Sequence, residues 1–213
     1  MNAVIFDMDG VLVNNARFHE QAFSEYFGKY GIVLKPEMHG RGNKELMEEL
    51  FPNETDEKRL ELSDGKEAYY REIYAPHIKP VEGLIELLEN LKRNDILVAV
   101  GSSAPQDNID FVLDKLNIRK YFDKVVGAAM VKNAKPAPDI YLKAAELLNV
   151  SPANCLVFED AEAGIQSANA AGMKVVALVT SLPEEKLQQT KNNKIINNFK
   201  EISVDEIKQI IGN

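Results

Sequence analysis

The sequence predicts an α/β protein with a doubly wound, mostly parallel sheet and a small all-helical domain inserted after the first strand. Three observations lead to this fold class. The apolar run Ala3-Val4-Ile5-Phe6 is typical of a strand buried on both faces. From Val81 onward, helical and strand patterns alternate, as they do in parallel sheets with right-handed crossovers. Between these two regions only helical patterns occur.

The inserted region contains three helical stretches. Apolar residues recur at helical spacing over residues 17–30, and Gly31 is expected to cap the end of that helix. Helical patterns also cover residues 43–50 and 55–74, with Pro52 between them. The insert is therefore expected to be a separate helical unit.

After the insert, short apolar runs predict strands and helically spaced apolar residues predict helices. The predicted strands cover residues 96–100, 125–130, 155–158, 175–179 and, at an edge of the sheet, 195–199. The predicted helices cover residues 84–91, 109–116, 139–149, 161–171 and 204–211. We expect the sheet domain to comprise residues 1–14 and 79–213, and the helical domain residues 15–78.

Composition narrows the class of protein. The chain has 213 residues and a net charge of −8, which argues against a general nucleic-acid binder or a protein bound to anionic membranes. No apolar run is long enough to cross a bilayer, and the first strand begins too close to Met1 for a signal peptide. The single cysteine, Cys155, lies in an apolar run and suits a reducing compartment. We expect a cytoplasmic protein.

Polar side chains follow three of the predicted strands. Two polar residues follow each of these strands, and any one such pair is explained equally well as an ordinary turn or as the cap of the next helix. In an open parallel sheet, however, these strand ends meet at one edge, where ligands bind. The pairs are Asp7 and Asp9, Ser102 and Ser103, and Glu159 and Asp160.

The convergence would bring four carboxylates into a small volume, which requires a cation. Oxygen ligands with room for phosphate and water suit Mg²⁺. Lys135 precedes a predicted helix that Asp139 is expected to cap. It is either a solvent-facing lysine in a proline-rich loop or, as we prefer, a side chain that faces an anion and offsets the charge of Asp7.

These residues match a known family. In this order, Asp7-Met8-Asp9-Gly10, Ser102, Lys135 and Glu159-Asp160 resemble the four motifs of the haloacid dehalogenase (HAD) superfamily. The helical insert resembles the cap domain that many members carry after the first motif. The segments around Lys135 and Glu159 resemble the branch that contains β-phosphoglucomutase and many sugar-phosphate phosphatases.

The resemblance implies a magnesium-dependent phosphoryl transfer. Asp7 would attack phosphorus and form an aspartyl-phosphate, and Asp9 would serve as general acid and then general base. Ser102 would donate a hydrogen bond to the phosphoryl group, and Lys135 would balance charge. The Mg²⁺ ligands would be Asp7, the Asp9 carbonyl and Asp160, with Glu159 close by, directly or through water. Asp9 argues against dehalogenation, which has no use for an acid there.

The cap would select the substrate, a small phosphorylated metabolite. The candidate substrate-binding residues are His19, Asn43, Lys44, Lys66 and Ser103. His19 is equally well explained as a histidine on the helix surface. Asn43 stands where the mutase carries an arginine that binds a second phosphate, and Arg41 and Lys44 are the alternative candidates for that role.

Two further functions stay open. A mutase must hold a bisphosphate at both ends, but Pro105 and Gln106 stand where the mutase carries lysine and asparagine. We therefore expect a monomeric phosphatase, with β-phosphoglucomutase as the alternative. Receiver domains also place aspartates, a hydroxyl and a lysine around Mg²⁺, as signalling modules that do not turn over. The helical insert and the Asp7–Asp9 pair on one strand speak against a receiver. A binding-only member is the remaining alternative, but no motif residue is missing.

Overall fold

A computed structural model describes residues 2–33 and 43–212, except for the side chain of Asn43. The chain divides into two compact units. Unit 1 consists of Met1–Asn14 and Lys79–Asn213, and unit 2 of Asn15–Ile78.

Unit 1 is built on a six-stranded sheet in which every neighbouring pair is parallel. The strand order is β3-β2-β1-β4-β5-β6, so the first strand lies inside the sheet. The strands are β1 (Ala3–Phe6), β2 (Leu97–Gly101), β3 (Lys124–Val126), β4 (Cys155–Glu159), β5 (Lys174–Leu178) and β6 (Lys194–Ile196). This topology confirms the predicted α/β class.

Helices accompany the strands in chain order. Unit 2 contains α1 (Ala16–Gly28), α2 (Asn43–Leu50) and α3 (Asp56–Tyr74). Unit 1 contains α4 (Leu84–Arg93), α5 (Gln106–Lys115), α6 (Asp139–Leu148), α7 (Glu162–Ala170), the short α8 (Glu184–Leu187) and α9 (Val204–Gly212).

The residues of β1 explain its position. All four are fully buried, because side chains on both faces of the strand pack against other elements. Ile5 belongs to a core cluster with Val157 and Tyr141. Phe6 points to the opposite face, where its ring stacks on Phe158 at 5.0 Å between centroids. The register pairs Phe6 with Val100 of β2 and Phe158 of β4, so the ends of these three strands are level.

Unit 2 has its own small core. Its apolar cluster joins all three helices through Phe27 of α1, Met47 of α2 and Leu62 of α3. Helix α3 begins after Thr55, whose hydroxyl oxygen accepts a hydrogen bond from the Lys58 N–H at 3.2 Å. The described residues of unit 2 form helices and turns only.

Several element boundaries differ from the sequence predictions, among them the end of the edge strand predicted over residues 195–199, which stops at Ile196. Helix α1 ends at Gly28, before Tyr30. Gly31, with φ +73°, caps this end as predicted, because its N–H donates to the Gly28 carbonyl oxygen at 2.9 Å and the Ile32 N–H donates to that of Phe27 at 3.3 Å. The strand predicted over residues 125–130 ends at Val126, because the neighbouring strand β2 offers no ladder partner beyond its own end. Asp139 is the first residue of α6 and not its cap, and its Oδ2 accepts the Asn133 N–H at 3.1 Å.

Candidate active site

Three buried carboxylates meet at the carboxyl ends of β1 and β4. Asp7 follows β1, Glu159 is the last residue of β4, and Asp160 comes next. One oxygen from each lies within 4.8 Å of the others. Burial, opposed by Lys135 and reinforced by the neighbouring acids, raises the pKa of Asp7 well above its usual range. Burial and the charge of Glu159 raise the pKa of Asp160 to about 7. The cluster therefore favours a bound cation.

Lys135 supplies part of the positive charge. Its Nζ donates to Asp7 Oδ1 at 2.6 Å, to Glu159 Oε1 at 2.7 Å and to the Tyr141 hydroxyl oxygen at 2.8 Å. Burial lowers the pKa of this ammonium, but attraction to Asp7 and Glu159 outweighs that effect and leaves the pKa raised. The side chain is 9% exposed, so it faces the carboxylates and not solvent.

Glu159 is fully occupied by hydrogen bonds. Its Oε1 accepts from Lys135 and from the Tyr141 hydroxyl at 2.8 Å. Its Oε2 accepts from the backbone N–H groups of Asp160 at 2.8 Å and Ala161 at 3.0 Å. A carboxylate has about four lone-pair sites, and these four donors use them. These four donors therefore compete with any direct coordination of a metal by Glu159.

Asp160 meets two hydroxyl groups from the loop after β5. The Ser181 hydroxyl donates to Asp160 Oδ2. The Thr180 hydroxyl donates to the Gly10 carbonyl oxygen at 2.6 Å, and its oxygen lies 3.2 Å from Asp160 Oδ2. This loop thus links Asp160 to the turn that follows β1.

Two glycines make room for the carboxylates. Gly10 has φ +77°, and a Cβ there would lie 1.7 Å from Asp160 Oδ2. A Cβ on Gly164, in α7, would lie 1.6 Å from Glu159 Oε1. Both distances are far below any contact that a real Cβ makes. Asp160 and Glu159 can therefore hold these positions only because Gly10 and Gly164 have no side chain.

The other residues singled out in unit 1 lie near this edge. Ser102 directly follows β2 and is buried, and its Oγ accepts the Ala104 N–H at 3.1 Å. Because that contact uses the oxygen as acceptor, the hydroxyl hydrogen can still be donated. Ser103 is exposed. Asp9 is half-buried in the turn after β1, and its backbone forms an isolated β-bridge with Val13.

The candidates of unit 2 lie on three different helices. His19 of α1 stacks on Tyr70 at 3.8 Å between ring centroids, and Asn15 Nδ2 lies 3.4 Å from its Nε2. Lys66 of α3 is buried in an ion pair with Glu67. Lys44 of α2 is exposed, 4.0 Å from Glu48. The side chain of Asn43 and the whole of Arg41 lie outside the described residues.

Four residues of this site were not among the predicted site residues. Thr180 and Ser181 are polar residues that follow β5, so they carry the same strand-end signal as the pairs after β1, β2 and β4. Gly164 lies in the segment around Glu159 that resembles the β-phosphoglucomutase branch, but no role was predicted for it. Tyr141 gave no signal, because a core tyrosine is common without any site nearby.

No helix in the described part of the chain is both long and apolar enough to cross a membrane.

Comparison with known proteins shows which proteins this chain resembles in sequence. The chain is 34% identical to the phosphorylated carbohydrates phosphatase of Thermotoga maritima, over 95% of this chain and 100% of that protein. It is 32% identical to the β-phosphoglucomutase of Bacillus subtilis, over 86% of this chain and 85% of that protein. It also matches SUPPRESSOR OF QUENCHING 1, chloroplastic, of Arabidopsis thaliana at 32% identity, but spans only 20% of that longer protein.

A solved structure and a family sequence model both point to the same family. The crystal structure of a family IA, variant 3 HAD hydrolase from Entamoeba histolytica superposes with a TM-score of 0.91 at 33% identity, covering 100% of both chains. The sequence model described as haloacid dehalogenase-like hydrolase matches residues 4–178. With its parallel sheet and its buried acidic cluster, the chain belongs to the haloacid dehalogenase-like hydrolases.

Proposed function

We propose that this chain is a magnesium-dependent phosphatase of small phosphorylated metabolites, such as sugar phosphates, and that it forms an aspartyl-phosphate on Asp7. The observation that carries the proposal is the buried cluster in which Lys135 joins Asp7 and Glu159, beside Asp160. Relatives that include a phosphatase of phosphorylated carbohydrates support the substrate class.

The acidic cluster fits Mg²⁺, because its donors are oxygens and its carboxylates carry more negative charge than Lys135 offsets. The side chains of Asp7 and Asp160 and the backbone carbonyl of Asp9 would hold the ion. Glu159 would act through a bound water, since its own oxygens already accept four hydrogen bonds. When bound, the ion would neutralise charge and polarise a phosphate oxygen.

Asp7 is the proposed nucleophile. Lys135 holds its Oδ1 at 2.6 Å, which fixes the carboxylate and leaves Oδ2 for attack. A bond forms between this oxygen and phosphorus while the bond from phosphorus to the leaving alcohol oxygen breaks, and Asp9 gives that oxygen its proton. The ionised Asp9 then takes a proton from water as the water attacks phosphorus, which frees phosphate and restores Asp7. General acid–base help of this kind contributes about 10²–10⁴-fold.

Two further side chains would stabilise the transferring group. Ser102 would donate its free hydroxyl hydrogen to a phosphoryl oxygen. Lys135, already charged and buried, would balance the negative charge that Asp7 and the phosphoryl group bring together. Neither group needs to reorganise during the reaction, since both are held by the fold.

We further propose that residues 15–78 act as a cap that selects the substrate, through His19, Asn43, Lys44 and Lys66, with Ser103 on the core. The buried Lys66–Glu67 pair and the stacking of His19 on Tyr70 support a preorganised surface in unit 2. We expect the protein to act as a monomer in the cytoplasm, without nucleic-acid or membrane partners.

β-Phosphoglucomutase activity is the second candidate, because one relative carries that name. Against it, Pro105 precedes α5 and Gln106 begins it, where the mutase carries lysine and asparagine. The Gln106 amide donates along its own helix to Asp110 Oδ1 at 3.0 Å. Both features favour hydrolysis.

The test is a screen of the purified chain against phosphorylated metabolites, with Mg²⁺ and with chelator. We expect many turnovers of phosphate release with Mg²⁺, none with chelator, and none from Asp7→Asn. Asp205→Asn, which changes an exposed acid at the start of α9, should behave as the unmodified chain. Faster interconversion of β-glucose 1- and 6-phosphates than phosphate release would favour the mutase. Phosphate release that stops after about one event per molecule would favour a receiver.

A further inference from the structure

The loop after β5 carries a pair of hydroxyl groups that the proposed phosphoryl transfer does not use. We propose that Ser181, supported by Thr180, restricts Asp160 to one donor oxygen and thereby makes the metal site selective for Mg²⁺ over Ca²⁺. This inference rests on the proposed function, since it concerns the same site, and it assigns Ser181 as a positioning residue.

The surroundings of Asp160 Oδ2 carry the first step. Ser181 donates a hydrogen bond to this oxygen, and the Thr180 hydroxyl oxygen lies 3.2 Å away. Oδ2 is also the oxygen turned toward Gly10, because a Cβ on Gly10 would lie 1.7 Å from Oδ2 but 3.0 Å from Oδ1. Three neighbours therefore surround Oδ2, and Oδ1 is the oxygen left for an ion.

The other carboxylates are restricted in a similar way. Lys135 uses one lone pair of Asp7 Oδ1, at 2.6 Å, and attack on phosphorus uses Oδ2, so Asp7 offers an ion only the remaining lone pair of Oδ1. Glu159 has all its acceptor sites in use. The fold thus presents carboxylate oxygens one at a time, and the remaining coordination positions fall to backbone, water and substrate.

The coordination preferences of the two ions explain why this arrangement should favour Mg²⁺ over Ca²⁺. Mg²⁺ prefers six oxygens at about 2.0–2.1 Å and usually keeps several waters, whereas Ca²⁺ takes six to eight oxygens and often binds a carboxylate through both. A bidentate Asp160 would have to break the Ser181 hydrogen bond. The loop also fixes the turn after β1, because Thr180 donates to the Gly10 carbonyl oxygen at 2.6 Å. The site therefore cannot widen easily around a larger ion.

The test measures ion binding directly, by isothermal titration calorimetry of the metal-free full chain with Mg²⁺ or Ca²⁺. The unmodified chain should bind Mg²⁺ more tightly. Ser181→Ala should weaken Mg²⁺ by about tenfold, as loss of a hydrogen bond to a metal ligand commonly does, and should leave Ca²⁺ binding unchanged or stronger. Ser181→Thr keeps the hydroxyl and should keep the preference. Ser151→Ala, which removes an exposed hydroxyl before β4, is the matched control.

Equal weakening of both ions in Ser181→Ala, or no change in either, would overturn the inference and leave the proposed phosphatase intact. An unmodified chain that binds neither ion would overturn both. Circular dichroism checks that each variant is folded. If Ser181→Ala does not fold, Ser181→Cys, whose thiol is a weak donor of similar size, replaces it with the same expected loss of preference.

Discussion

Gly164→Ala tests whether the packing around Glu159 or the propensity of helix α7 decides stability. Alanine in place of a helical glycine normally stabilises a protein by up to about 1 kcal/mol. Here a Cβ would lie 1.6 Å from Glu159 Oε1 and 2.0 Å from its Cδ. Either α7 must shift or Glu159 must leave its place, and Glu159 accepts hydrogen bonds from Lys135, Tyr141 and two backbone N–H groups.

The magnitude follows from those bonds. A hydrogen bond to a charged group contributes about 1.5–3 kcal/mol, so losing two of the four costs about 3–6 kcal/mol. Subtracting the helix gain leaves a net destabilisation of about 2–5 kcal/mol. Urea unfolding followed by circular dichroism measures it.

Gly28→Ala is the matched control, because Gly28 also lies in a helix but has no atom within 4 Å of its added Cβ. It should leave the free energy of unfolding unchanged or raise it by up to about 1 kcal/mol. If Gly164→Ala were as stable as Gly28→Ala, the close packing of α7 against Glu159 would be refuted.

Three further predictions concern the same core. Tyr141→Phe removes a hydroxyl that contacts Lys135 and Glu159, and it should lower the free energy of unfolding by about 2 kcal/mol in urea; no change would contradict this. Burial raises the pKa of Asp160 to about 7, so the folded state binds its proton more tightly than the unfolded state does. In the presence of chelator, the free energy of unfolding should therefore fall as the pH rises from about 4 through 7. Asp160 should contribute up to about 4 kcal/mol to this decrease. Urea titrations at several pH values should show a flatter profile for Asp160→Asn than for Asp205→Asn, and equal profiles would contradict the assignment. Burial raises the pKa of the Cys155 thiol to about 11, so its absorbance-monitored reaction with a disulfide reagent at pH 8 should be slow until urea unfolds the chain, and rapid labelling of the native protein would contradict its burial.

Much of the sheet could be predicted because its signals are local. The strands are short apolar runs that end in polar pairs, and parallel pairing then follows from the helices between them. The family resemblance could also be predicted, and the comparisons confirm it. Strand lengths at the edge were harder, since the end of β3 depends on its single neighbour β2.

The site residues that were not predicted depend on how distant segments of the chain pack together. Tyr141 lies six residues after Lys135, but whether its hydroxyl reaches Glu159 is decided by how α6 packs on the sheet. Gly164 looks like a weak helix residue in the sequence, and only the position of Glu159 shows why a side chain is excluded. Pattern reasoning identifies residue types at strand ends, whereas these contacts arise between segments far apart in the chain.

The charges of the cluster link its stability to its chemistry. Three buried carboxylates and one buried ammonium would leave about two negative charges when all are ionised, and each buried charge is costly without a partner. A divalent cation offsets that excess, so the same arrangement that destabilises the metal-free chain should make ion binding favourable. Lys135 already pairs with Asp7 and Glu159, so an added ion is left to face Asp160 and the remaining lone pair of Asp7 Oδ1. The nucleophile and the ion thus share one carboxylate, which would bring an incoming phosphate to the attacking oxygen.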